Sequence, residues 1–96
     1  MPEIKREVAL NKALPIEIHE LLARDESPQI RSLVADRRQL PSHVIQLLSE
    51  DPDESVRARI ANNKKTSLEI LLRLTKDSSP IVSEAALKRL NESVKV

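Results

Sequence analysis

A 26-residue step runs through this chain and limits its fold more than any other feature. The segment Ile30–Ser55, IRSLVADRRQLPSHVIQLLSEDPDES, serves as the unit. Moved back by one step, Ile30, Val34, Ala35, Leu40, Pro41, Leu47, Leu48 and Asp51 fall on Ile4, Val8, Ala9, Leu14, Pro15, Leu21, Leu22 and Asp25. Moved forward, the series continues through Val56, Ile60, Ala61, Ile70, Leu74 and Asp77 and restarts at Val82. A fixed period of this length means that each unit is one supersecondary element too small to bury its own apolar side. Neighbouring units must cover one another, which predicts an all-α solenoid with one continuous core.

Composition narrows the contents of that core. The 96 residues include no Phe, Tyr, Trp, Gly or Cys. Leu, Ile, Val and Ala must therefore fill the interior, each contributing modest area at about 25 cal/mol per Å². A chain without Gly lacks the residue used for tight hairpins, P-loops and dinucleotide-binding turns. Without Cys there is no disulfide, thiol nucleophile or thiolate metal site. Sixteen Lys and Arg against fifteen Asp and Glu leave a formal charge of +1, so bulk charge selects no partner. The first twenty residues contain no signal-peptide core, and no run approaches the roughly 20 apolar residues of a membrane span. A soluble cytoplasmic protein without membrane contact is the expectation.

Within each unit the apolar spacing predicts two short helices. Ile4 and Val8 mark the first helix of the opening unit. Pro15 is expected at the first position of the second helix, where its missing N–H costs nothing. That helix should reach about Arg24, with Ile18, Leu21 and Leu22 on one stripe. In the next unit Ser27 caps a helix begun by Pro28, which carries Ile30, Leu33 and Val34. After the turn at residues 36–40, Pro41 starts a helix burying Val44, Leu47 and Leu48. Asp53 takes the capping place in the third unit, ahead of Val56, Ile60 and Ala61. Thr66 and Glu69 fit a capping box before Ile70, Leu71 and Leu74. Ser79 and Pro80 open a closing helix with Glu84, Lys88 and Glu92 on its wet face. The expectation is one domain over residues 1–96 with about seven helices: units at about 4–29, 30–55 and 56–81, then a closing helix at 82–92.

The runs LARDESPQIRSLVA, LLSEDPDESVRARIANN and LTKDSSPIVSEAALKRL, joined to LPIEIHELLARD and LPSHVIQLLSEDP, resemble repeats of the HEAT class. They are most similar to the short leucine-rich repeat variant units of bacteria, over about residues 4–90. The resemblance implies a right-handed superhelix of short helix pairs, with the second helix of each pair lining the face used for partners. Two departures stand out. The unit is slightly longer than the usual variant repeat, which predicts α rather than 3₁₀ geometry in the shorter helices. The cysteine-ligated iron–sulfur segment of the founding architecture has no counterpart here, so no cofactor is expected.

Three constellations remain. Asp25 and Asp51 stand six residues before Arg31 and Arg57, and the resemblance implies an Asp–Arg ladder at this spacing; Ser83 interrupts it after Asp77. Read as exposed pairs, such rungs contribute about 0–1 kcal/mol each. Lys12, Arg38 and Lys64 repeat in strict register in the turns between helices, with Arg37, Lys65 and Arg89 beside them. Layers about 8–10 Å apart would line these cations up along a ridge able to follow phosphates. The third set lies on the outward side of the second helices, taken as the longer ones: His43, Gln46, Glu69, Leu72 and Arg73. These positions differ between units while core positions repeat, so the surface is free to encode a partner.

His19 and His43 occupy different registers without a third ligand, which makes them surface histidines rather than a zinc site. The serines near helix starts are caps, and no Ser–His–acid set is recognisable. The reading is a non-enzymatic scaffold that binds another protein through the face of the second helices. The alternative is nucleic-acid backbone on the basic ridge, and end-to-end self-association is a third possibility.

Overall fold

A computed structural model describes residues 15–94 of the chain. Among them are six α-helices and no strand: α1 Ile16–Leu22, α2 Pro28–Ala35, α3 Ser42–Ser49, α4 Glu54–Asn62, α5 Leu68–Leu74 and α6 Pro80–Val94. The helix expected around Ile4 to Leu10 lies outside the described residues. Even the shortest helices are α-helical. No helix of the described residues is long and apolar enough to cross a membrane.

Helix starts follow from side-chain chemistry. The Ser27 hydroxyl accepts from the Ile30 amide at 3.4 Å, and the Asp53 carboxylate accepts from the Ser55 amide at 2.8 Å. Pro28 and Pro80 are the first residues of α2 and α6. Pro15 and Pro41 stand one place earlier than expected, as N-caps with ψ of 154° and 147°. Their fixed φ also suits extended backbone, and their carbonyls already accept the first amides of α1 and α3. The capping box expected at Thr66 is corrected too. The Thr66 hydroxyl is buried and donates to the Ile60 carbonyl at 2.6 Å, so Ser67 caps α5 instead.

Helix ends are made without glycine. No described residue has positive φ, so the usual left-handed cap is absent among them. Instead the carboxylates of Asp25, Asp51 and Asp77 accept from the amides of Ser27, Asp53 and Ser79, each at 2.9 Å. These Asx turns take an amide two residues on and bend the chain away after α1, α3 and α5. The second helices are not the longer ones: α3 matches α2 at 8 residues, and α5 with 7 is shorter than α4 with 9.

Packing follows the repeat. Helix α4 lies between α2 and α6, α3 packs on α4 and α5, and α5 packs on α6. Ile30, Val34 and Ala35 of α2 are buried, as are their 26-residue equivalents Val56, Ile60 and Ala61 of α4. The second helices bury positions i, i+1 and i+4: Val44, Ile45 and Leu48 in α3, then Ile70, Leu71 and Leu74 in α5. In α1 the same positions hold Ile18, partly buried, and His19 and Leu22, buried, so His19 stands where the other units have Ile45 and Leu71. At 3.6 residues per turn this arc leaves Leu21 outside, and Leu21 is 67% exposed rather than on the stripe.

Candidate interaction surface

The Asp–Arg ladder joins units in a different way from the one expected. Arg31 donates from Nε and Nη2 to Asp51, at 2.7 and 3.2 Å, and Arg57 repeats the fork on Asp77 at 2.9 and 3.1 Å. Each arginine therefore meets the carboxylate 20 residues ahead, not the one six residues behind. The preceding aspartate supplies its backbone: Arg31 donates to the Asp25 carbonyl at 2.6 Å and Arg57 to the Asp51 carbonyl at 2.7 Å. Asp51 thus serves two arginines, its carboxylate accepting from Arg31 and its carbonyl from Arg57.

These rungs are not the exposed pairs expected. Their side chains are only 5–15% exposed, and bidentate geometry adds orientation to charge. Hydrogen bonding to Asp77 raises the Arg57 pKa above its usual value, against the effect of burial. Burial pushes the Asp77 carboxyl up, but hydrogen bonds from Arg57 and the Ser79 amide bring it below the ordinary carboxylate value. The ladder links residues of successive units.

The outward side of α1, α3 and α5 holds the variable residues. Exposed His43 of α3 pairs with Glu20 of α1. Exposed Gln46 reaches Glu50 along its own helix at 3.4 Å. Arg73 of α5 donates to the Ser49 hydroxyl and lies 3.9 Å from Glu50, tying α5 to α3. Glu69 is exposed. Leu72 is 53% exposed and does not stand alone, because Leu68, one helical turn earlier, is 58% exposed. Leu68 was missed in the sequence although its i, i+4 relation to Leu72 was there to read. All five expected face residues are thus at the surface, with two apolar side chains in a charged surround.

The basic ridge splits. Lys12 lies outside the described residues. Arg38, Lys64 and Lys65 are exposed, whereas Arg37 and Arg89 are half-buried. Burial lowers the Arg37 pKa. Asn63, also missed, organises this edge. Its buried amide donates at 2.8 Å to both the Ala35 and Arg37 carbonyls and accepts from the Lys65 amide at 2.9 Å. An Asn inside a turn followed by two lysines was the available signal.

His43 is a surface histidine, but His19 is not: it is 4% exposed, and neither ring nitrogen has a hydrogen-bond partner among the described residues. Burial, and then the charge of Arg37, hold its pKa below 6.5. No group of three or more metal-binding side chains gathers among the described residues. An open groove of about 650 Å³ between α2 and α4 is lined by Gln29, Ser32, Leu33, Asp53, Ser55 and Arg59. Its ionic groups are engaged, Asp53 as a cap and Arg59 with Asp36. Asp53 is held below its ordinary pKa chiefly by the Ser55 hydroxyl.

No family model matches the chain, and neither a curated protein nor a solved structure matches it significantly.

Proposed function

We propose that the chain is an α-solenoid of HEAT-like, leucine-rich-repeat-variant type that serves as a non-enzymatic scaffold for another protein. Burial that recurs in 26-residue register and Asp–Arg rungs that link one unit to the next support the solenoid reading. The partner face is the outward side of α1, α3 and α5, carrying His43, Gln46, Glu69, Leu72 and Arg73. One observation carries this choice: Leu68 and Leu72 form an exposed apolar pair on α5 with Glu69 and Arg73 adjoining. Interfaces of this kind place apolar anchors inside a polar rim, and a few anchors supply most of the affinity.

The test is quantitative affinity capture with the wild-type chain and with a Leu68→Glu, Leu72→Glu variant, both checked for helicity by circular dichroism. Capture of the specific partner should weaken about tenfold or more, since losing two anchors at about 1 kcal/mol or more each exceeds the roughly 1.4 kcal/mol of a tenfold change. An undiminished set of partners on a correctly folded variant refutes this face.

A further inference from the structure

We infer that the edge formed by the turns after α2 and α4 binds the phosphodiester backbone of duplex nucleic acid. This edge is separate from the outward helix face, and the inference does not depend on it. The two turns, residues 36–40 and 63–66, carry Arg37, Arg38, Lys64 and Lys65 against a single carboxylate, Asp36. That carboxylate is neutralised by Arg59. Arg38, Lys64 and Lys65 are exposed, and among the described residues no ion pair engages them.

The turns are also fixed to each other. The Asn63 side chain spans from the Ala35 and Arg37 carbonyls to the Lys65 amide, all at 2.8–2.9 Å. It holds the backbone that carries Lys64 and Lys65 beside the backbone that carries Arg37 and Arg38. Cations from two units, 26 residues apart in sequence, are thus presented together. Hydrogen-bonded turns that carry exposed cations are suited to a periodic line of charge.

The chemistry favours duplex over the alternatives. A chain without aromatic residues has nothing on which to stack an unpaired base, so single strands gain little beyond charge. Duplex presents about one negative charge per 1.7 Å of axis with its counterions already condensed. Contacts confined to phosphates make the binding blind to sequence.

The experiment is fluorescence anisotropy with the full chain and three labelled probes: an arbitrary-sequence DNA duplex, one of its strands, and a polyglutamate peptide. Three exposed cations predict a slope near −2.7 in log K against log salt, an about 40-fold weakening between 50 and 200 mM. A variant with Arg38→Gln, Lys64→Gln and Lys65→Gln should lose this binding while keeping its circular dichroism spectrum. A control with Lys76→Gln and Lys88→Gln, exposed cations elsewhere, should retain it. Four results overturn the inference: no duplex binding at the lower salt, single strands bound as tightly as duplex, polyglutamate bound as tightly as duplex, or equal loss in the control. The third would assign the edge to an acidic protein segment.

Discussion

Replacing His19 by leucine should make this protein more stable. The imidazole occupies a core position whose equivalents, Ile45 and Leu71, are 2% and 3% exposed, and His19 itself is 4% exposed. A neutral ring brings one donor and one acceptor, and neither finds a partner among the described residues. Each unmet buried polar atom costs about 1–3 kcal/mol, and imperfect fit of the new side chain returns part of the gain. His19→Leu should therefore add about 2 kcal/mol, equivalent to about 10 °C in Tm for a domain of this size. Urea titration followed by far-UV circular dichroism is the assay, since the chain has no Trp or Tyr to report by fluorescence. Acid sharpens the contrast. The folded pKa of His19 is lowered from 6.5, so the unfolded chain takes up the proton at higher pH than the folded one. Wild-type stability must then fall as pH drops below about 6.5, by at most about 1.4 kcal/mol per unit, until the folded pKa is reached. The advantage of His19→Leu grows over that window. A variant less stable than wild type near neutral pH, or an advantage independent of pH, refutes the reasoning.

Asp77→Asn should lower stability by about 2 kcal/mol, less than the roughly 3–5 for breaking a fully buried pair, because the pair is part-buried and Arg57 keeps the Asp51 carbonyl. Asp77 is depressed in the fold, so the deficit is complete above its ordinary 3.8 and fades as pH falls through the lowered folded value. Denaturation midpoints across that range read both effects. Asn63→Ala strips the Ala35 and Arg37 carbonyls and the Lys65 amide of their partner and should cost about 2 kcal/mol. Faster hydrogen exchange at the Lys65 amide would locate the loss in the turn; unchanged exchange there would contradict the role given to Asn63.

Much of the fold was legible because local chemistry and the 26-residue register agreed. Ser27, Pro28, Asp53 and Pro80 announce helix starts by mechanisms confined to a few residues, and each acts where expected. The misreadings involve choices that local pattern leaves open. Thr66 and Ser67 both satisfy capping chemistry, and the burial of Thr66 against the Ile60 carbonyl decides between them. Leu21 fits a helical stripe as well as His19 does, and only the direction of the buried arc excludes it. The candidate surface was half legible. Leu72, His43 and Arg73 stood out because they break the repeat, but nothing in their spacing shows that Arg73 reaches Ser49 and His43 reaches Glu20.

The sequence by itself determined the helix punctuation and the apolar positions that recur every 26 residues, because both depend on near neighbours and on periodicity. Tertiary structure decided which arginine meets which aspartate. Two carboxylates compete for each guanidinium, one six residues behind and one 20 ahead. Asp51 and Asp77 each accept from their own turn and from a guanidinium at once, and that guanidinium comes from the arginine 20 residues earlier, so the rung forms between units. Tertiary structure likewise placed His19 in the interior and joined the cationic turns through Asn63. Those outcomes depend on what the neighbouring unit presents, which no stretch of chain specifies alone.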